Sequence, residues 1–248
     1  MTARALVVIP TYNESANIPV LLERLFSVVD VDVVVVDDGS PDGTAASARD
    51  TGARLGRSVT VIERAGKSGY GSACREGFAH GLTRDYPVIL QMDADLSHSP
   101  EDVPRLLDQI DRGADVVIGS RYVAGGSIPG WSLPRRMLSR AGNGYARLCL
   151  GLGVSDATAG FRAYRADVLR GMDFVTTRTD GYGFQIEMAN RVRLAGARVA
   201  EVPIEFADRT HGRSKMSNRI VAEALWMVTR LGVRRVARRI RSATRSTE

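Results

Sequence analysis

No run of 18 consecutive apolar residues occurs anywhere in the chain, so no segment reads as a membrane-spanning helix. Cysteine is scarce: Cys74 and Cys149 are the only two. Both sit in helix-like surroundings, without the spacing of a disulfide framework or a zinc site, and a reducing, cytoplasmic setting is expected. The first apolar run, residues 5–9, meets Pro10, Asn13 and Glu14 at once. No small-residue cleavage site follows, so the run does not read as a signal peptide. Acidic residues are missing from one place in particular, since residues 230–245 hold seven arginines and no acid. The net charge of +6 therefore belongs to one basic tail on a chain that is otherwise near neutral, which argues against a general nucleic-acid binder. What is present suits a globular core, with 44% hydrophobic and 25% charged residues in 248. That is room for one large domain or one and a half.

Apolar, β-branched runs at residues 5–9, 31–36, 59–62, 88–90 and 114–119 alternate with helix-like stretches. Residues 17–29 place Ile18, Leu21, Leu22, Leu25 and Val28 at helical spacing. Pro10 is expected to end the first strand, because proline cannot donate to a central ladder. Ser99-Pro100-Glu101-Asp102 reads as a helix start, with an N-cap serine, proline at N1 and acids in the first turn. Runs this apolar are buried on both faces, and the alternation predicts an α/β fold built from βαβ units around a parallel sheet. Past Arg121 the pattern changes. Residues 123–134 read as a loop, a basic helix runs to Leu150, residues 184–194 are helical, residues 199–206 alternate as a strand, and residues 218–242 form a long helix.

Ligands in open α/β sheets lie outside the carboxyl ends of strands. Asp93-Ala94-Asp95 stands at such an end, after the run at residues 88–90. Two like charges so close repel unless a cation lies between them, and Mg²⁺ is commonly held by one or two carboxylates plus substrate phosphates. Taken alone, the pair also fits a turn and a helix cap. Asp37 and Asp38 end the second strand, either as acceptors for a ribose or base or as turn residues before Gly39. The loop Gly66-Lys67-Ser68-Gly69-Tyr70-Gly71 lacks Walker A spacing. Its glycines permit close backbone approach, and Lys67 either reaches a phosphate or is a solvated helix-entry lysine. His98, one histidine beside the acids, reads as a structural residue or a ligand contact. Neighbouring acids on one strand end cannot flank a scissile bond from two sides, which excludes the carboxylate pair of a glycoside hydrolase.

PTYNE from Pro10, VVDDGSPDGT from Val35 and DADLSHSP from Asp93 occur in this order, each after a buried run. Together they resemble the nucleotide-sugar half of inverting family-2 glycosyltransferases, whose fold is the GT-A, Rossmann-like, mostly parallel sheet flanked by helices. GSRY at Gly119, WSLPRRMLSR at Trp131, DATAGFRAYR at Asp156, GYGFQIEM at Gly181 and DRTHGRSKMS at Asp208 resemble a narrower group, the polyprenol-phosphate (dolichol-phosphate) mannose synthases. The likeness covers about residues 6–217. It implies a GT-A domain over residues 1–217, with a nucleotide-sugar half at 1–121 and an acceptor half at 122–217, followed by a basic amphipathic element at 218–248.

The same resemblance implies roles for individual positions. Pro10, Tyr12, Glu14, Val36 and Asp38 are expected to contact the nucleoside, with Lys67 and Ala94 on the donor side. Asp93 and Asp95 would hold Mg²⁺ or Mn²⁺ on the diphosphate of GDP-mannose. Ser97 stands where some relatives carry a glutamine ligand, so a hydroxyl or a water would take that place. Arg121 would lie near donor and acceptor phosphates, and Arg135, Arg209 and Lys215 would bind phosphate, Lys215 from a loop over the donor. The implied reaction is inverting transfer of mannose to polyprenyl phosphate at the cytoplasmic face of the cell membrane, by a peripheral enzyme. Some relatives continue into two membrane helices that this sequence does not show, so a separate membrane-spanning partner is one expectation. A glucose or other sugar synthase of the same fold, and a catalytically silent nucleotide-sugar-binding subunit, are the alternatives.

The chemistry agrees with the residue types. A phosphate nucleophile, with a second pKa of about 6, is largely ionised near neutrality and needs no strong general base. Two phosphate groups must instead be neutralised as they approach, which favours a metal and arginine forks. The last helix sets Leu225, Val228, Leu231, Val236 and Ile240 among arginines, as a basic amphipathic helix on an anionic membrane surface does. Residues 131–140 are expected to share that lipid-facing side.

Overall fold

The computed structural model describes residues 4–207 and 218–245. Its strands are β1 (Ala5–Thr11), β2 (Asp32–Asp37), β3 (Val59–Glu63), β4 (Val88–Gln91), β5 (Val116–Ser120), β6 (Arg162–Arg165) and β7 (Val199–Pro203). Its helices are α1 (Ile18–Val28), α2 (Thr44–Leu55), α3 (Tyr70–Thr83), α4 (Val103–Asp111), α5 (Leu133–Leu150), α6 (Ala166–Gly171), α7 (Gly181–Leu194) and α8 (Asn218–Arg245). The strands form one sheet in the order β3-β2-β1-β4-β6-β5-β7.

Strand β1 shows why the sheet is buried on both sides. Its side chains alternate, and every residue from Ala5 to Thr11 is buried. Leu6 and Val8 join Val34, Val36, Phe78, Tyr164 and Phe184 in one core, with residues of α3, α5, α6, α7 and α8. Val7 and Ile9 join Leu21, Leu22, Leu25, Val33, Val35 and Leu106 in the other, under α1, α2 and α4. Each fully buried Val or Leu contributes on the order of 1.5–3 kcal/mol, so the two faces together set the register.

The sheet is mostly parallel, as the family resemblance implied. Three details differ from expectation. First, one strand is antiparallel. β6 inserts antiparallel between β4 and β5, pairing Leu90 and Val117 with Ala163. Its RAYR segment, half arginine, has no apolar run to announce it. Second, β1 does not stop at Pro10. Pairing with β4 ends at Val8, while pairing with β2 continues through Pro10↔Val36 to Thr11↔Asp37. Pro10 thus has a partner strand on one side only, the edge-like setting in which proline is tolerated. Third, Ser99 makes no side-chain cap; its hydroxyl donates to Glu101 at the start of a short 3₁₀ turn before α4.

Among the described residues, no helix is long and apolar enough to cross a membrane. Phe78, fully buried, packs edge-on against Tyr164 and Phe174 at centroid distances of 5.6 and 5.7 Å. Phe78→Ala is therefore expected to cost about 3–5 kcal/mol. A lowered urea midpoint at unchanged m value checks this, and a midpoint equal to wild type contradicts it.

Candidate active site

Strands β1 and β4 are neighbours, with β2 and β3 wound to one side and β6, β5 and β7 to the other. The order reverses between β1 and β4, and the crevice outside their carboxyl ends is where such sheets bind ligands. Both exits are strained. Asn13, after β1, has φ 58°, and Leu96, after β4, has φ 61°. Left-handed conformation is costly for a leucine, and such costs gather at functional sites. The bend at Leu96 folds Ser97 back, so that its N–H donates to Asp95 Oδ1 at 3.1 Å. Ala94, between the acids, is buried.

The acidic pair fits a hard cation. Among the described residues, no group of three or more His, Cys, Asp and Glu side chains gathers anywhere. Two carboxylates would then share the ion with substrate phosphates and waters, a pattern suited to Mg²⁺ or Mn²⁺. Ser97 adds an observation of its own, because its Oγ is buried and has no hydrogen-bond partner among the described residues. An orphaned hydroxyl beside two carboxylates is a fitting third donor, direct or through water.

On the β2 side, Asp38 spends both oxygens on the glycine-rich loop. Oδ1 accepts from Arg64 Nη1 (2.6 Å) and Ser68 N (2.9 Å), and Oδ2 from Gly69 N (2.8 Å). Asp37 accepts from Thr11 Oγ1 (3.0 Å) and Ser40 N (2.9 Å). Gly39, at φ 74°, lets this turn meet the loop, since a Cβ there would lie 2.9 Å from Gly66 Cα. Lys67 Nζ stands 4.0 Å from the centroid of the Tyr12 ring, a cation–π contact that joins the loop to the β1 exit. Pro10 and Val36 are buried partners in the ladder. Glu14 accepts from Asn17 Nδ2 at 2.8 Å, and its N–H donates to Thr44 Oγ1 at 2.9 Å.

His98 divides the acidic pair from a basic, aromatic pocket. Its ring stacks on Phe161 at 5.0 Å and meets Phe206 edge-on at 5.3 Å. Burial lowers its pKa, against the upward pull of Asp93 and Asp95. The neutral ring accepts Asp93 N–H at Nδ1, 3.2 Å away, so His98 supports the Asp93 backbone. Beyond Phe206 lies Arg121, whose guanidinium is 5.2 Å from the Phe206 centroid and 5.8 Å from that of Trp131. Arg135 lies 3.7 Å over the Trp131 ring.

Arg121 is buried, which its motif did not reveal. Nε and Nη2 each reach Asp156 at 2.7 Å, and Nη2 also donates to Thr158 Oγ1 at 2.7 Å. The backbone N–H of Arg121 donates to Asp156 Oδ2 at 3.1 Å. Burial, the largest single influence, favours the neutral form of both groups, but the partner's charge and hydrogen bonds together outweigh it: the Arg121 pKa rises and the Asp156 pKa falls. Among the described residues, Nη1 of Arg121 makes no hydrogen bond, so it is the corner left for a ligand. Glu201 on β7 holds the Asp156 loop by accepting Ser155 N–H (2.7 Å) and Asp156 N–H (3.1 Å). Asp156 and Glu201 were not singled out from the sequence. The available signal was one acid isolated in the uncharged stretch 148–161. Arg209 and Lys215 lie outside the described residues.

Residues 6–172 match the model of Glycosyl transferase family 2. The chain is 51% identical to the undecaprenyl-phosphate mannosyltransferase of Micrococcus luteus, over 93% of this chain and 94% of that protein. It is 46% identical to the polyprenol monophosphomannose synthase of Mycolicibacterium smegmatis, over 98% and 92%. Among solved structures it resembles glucosyl-3-phosphoglycerate synthase of Mycobacterium tuberculosis in complex with Mn²⁺, UDP and phosphoglyceric acid. The TM-score is 0.66 at 22% identity, covering 91% of this chain and 78% of that one. It also resembles the mannosyltransferase PcManGT of Pyrobaculum calidifontis in complex with GDP-Man and Mn²⁺, with TM-score 0.59 at 17% identity, covering 93% and 70%. At these identities the structural likeness concerns the fold.

Asp156→Asn leaves the buried Arg121 without its counter-charge and is expected to cost about 3–5 kcal/mol at neutral pH. Because the folded state lowers the Asp156 pKa, its contribution is present above the unfolded value near 4 and is lost as pH falls through the folded value. The stability gap between wild type and variant should therefore narrow below about pH 4. Urea unfolding at neutral and acid pH checks this; a gap independent of pH contradicts it.

Proposed function

Because the chain belongs to glycosyl transferase family 2 and is a glycosyltransferase, we propose that it transfers mannose from GDP-mannose to a polyprenyl phosphate, with inversion and release of GDP. The observation that carries this reading is the pairing of two anion-handling centres across one histidine ring. His98 contacts Asp93 of the acidic pair and also Phe206, which touches Arg121 and Trp131. The two relatives, named for polyprenyl-type phosphates and mannose, support the same substrates.

Asp93 and Asp95, with Ser97 beside them, would hold the divalent cation. When bound, that ion neutralises charge on the departing diphosphate. Tyr12, Glu14 and the loop pinned by Asp38 line the nucleoside side. Arg121 Nη1 and Arg135 would receive the acceptor phosphate, with Arg209 and Lys215 contributing further cations. The rigid Arg121–Asp156 pair fixes the guanidinium in advance, so orienting it costs little when substrate arrives. A single displacement by an already ionised phosphate oxygen inverts the sugar carbon and requires no protein base.

The site also has a surface suited to a lipid substrate. On α5, Leu133, Met137, Leu138 and Leu148 are exposed, Leu148 by 82%. On α8, Trp226, Val233 and Val236 are exposed, Trp226 by 63%. Arg235 ties the two helices by donating to the carbonyls of Leu148 and Cys149 at 3.4 and 3.3 Å. The sequence assigned this surface only partly. Trp131 is buried beside Arg121, Val228 packs in the core and Leu231 packs against it, whereas Leu225 and Val236 are exposed as expected. The side chain of Ile240 lies outside those described. Apolar side chains among arginines suit an anionic membrane surface, where each arginine contributes about 1 kcal/mol.

Protein mixed with Mg²⁺, a short polyprenyl phosphate and GDP-mannose should release GDP and form the mannosylated lipid, with much slower turnover of GDP-glucose or UDP-glucose. No GDP release with any polyprenyl phosphate would overturn the reading. Sedimentation with anionic vesicles tests the surface. The double variant Leu138→Ser, Trp226→Ser should bind vesicles more weakly while keeping its thermal midpoint. Equal binding would count against α5 and α8 as the lipid-facing side.

A further inference from the structure

Tyr70 opens α3, and its half-buried phenol joins Asp93 to two glutamines that none of the roles above uses. Tyr70 Oη donates to Asp93 Oδ1 at 2.6 Å. Gln91 Nε2, from the last residue of β4, donates to Tyr70 Oη at 2.6 Å. Gln185 Nε2, from α7, donates to the same oxygen at 3.2 Å. A phenolic hydroxyl has one proton to give. With two amides already donating to its oxygen, that proton is directed to Asp93. Both glutamines accept an unfavourable arrangement, since Gln91 Oε1 and Gln185 Oε1 are buried without partners among the described residues. Arg162, fully buried, anchors the α7 side by donating to the Gln185 carbonyl at 3.0 Å. Gly160 closes the cluster: a Cβ there would lie 2.9 Å from Tyr70 Oη and 3.3 Å from both Asp93 oxygens.

The effect on Asp93 is asymmetric. Oδ1 is tied to the phenol, whereas Oδ2 has no hydrogen bond among the described residues, and His98 Nδ1 stands 3.9 Å from it. The side chain retains 27% exposure. We infer that Tyr70 is a positioning residue for the cation site: it holds one oxygen of Asp93, with Gln91 and Gln185 fixing its own orientation, so that the other oxygen is presented as a single ligand. This rests on the reading of Asp93 and Asp95 as the cation-holding pair. It adds residues from α3 and α7 that no strand-end motif contains.

The test uses the full chain with Mn²⁺ and GDP as probes, counting free Mn²⁺ by electron paramagnetic resonance. Tyr70→Phe keeps the ring and its edge contact with Phe184 but removes the hydroxyl. Loss of a group that orients a metal ligand typically weakens the metal 10–100-fold. Tyr70→Phe should weaken Mn²⁺ binding within that range. It should raise the Mn²⁺ needed for half-maximal turnover by the same factor, with kcat recovering at saturating Mn²⁺. Gln91→Met, which removes one donor to the phenol without touching Asp93, should shift Mn²⁺ affinity the same way by a smaller factor. It decides the matter if Tyr70→Phe does not fold. Unchanged Mn²⁺ affinity in the folded variants, beside a large loss in Asp93→Asn, overturns the role of Tyr70 alone. Unchanged affinity in Asp93→Asn as well overturns the reading of the acidic pair, and the role of Tyr70 with it.

Discussion

Like charges two residues apart at the end of a buried strand set the terms for the whole site. Asp93 and Asp95 emerge where β4 leaves the sheet, beside β1, at the point where strand order reverses. Keeping both ionised requires compensation from a cation, from fixed donors, or from both. The fold supplies donors from several directions. Tyr70 comes from α3, Ser97 N–H from the turn strained at Leu96, and His98 supports the Asp93 backbone. Each of these donors is neutral, and in the proposed reaction a divalent ion would add positive charge. The anionic substrates of a sugar-phosphate transfer would complete that balance.

The second centre solves the opposite problem. Arg121 is a cation placed where solvent is scarce, and only the bidentate contact with Asp156 makes that tolerable. Among the described residues, the pair leaves Arg121 Nη1 without a hydrogen bond, and the rings of Tyr122, Trp131 and Phe206 lie 5.2–5.8 Å from the guanidinium. His98 and Phe206 separate the two centres with ring faces rather than charges. Charge of each sign is thus held apart by rings, and in the proposed reaction ligands would bring it together. That is how preorganised electrostatics works without reorganisation cost at the moment of reaction.

The strand-end signals were easy to read because each follows a buried, β-branched run, and buried runs announce themselves by composition. Asp93, Asp95, Asp37, Asp38 and Tyr12 all stand near the crevice for that reason. The mixed order of the sheet was not legible. RAYR has two charged ends, and its place between β4 and β5 is decided by Ala163 fitting against Leu90 and Val117, a tertiary fact. The Arg121–Asp156 pair spans 35 residues of sequence, and the Tyr70–Gln185 contact spans 115. Local pattern carries no trace of either. The last helix mixed two roles that periodicity alone could not separate: Val228 faces the core, while Trp226 and Val233 face outward.

Calorimetric titration of GDP into the protein, with Mn²⁺ and then with chelator, tests the acidic pair most directly. If Asp93 and Asp95 share a cation with the diphosphate, metal and nucleotide must strengthen each other's binding reciprocally. GDP affinity should then rise by about tenfold or more with Mn²⁺ in the wild type, within the usual range of such coupling, and the gain should vanish in Asp95→Asn. Equal GDP affinity in Mn²⁺ and in chelator, with full turnover in both, would contradict it.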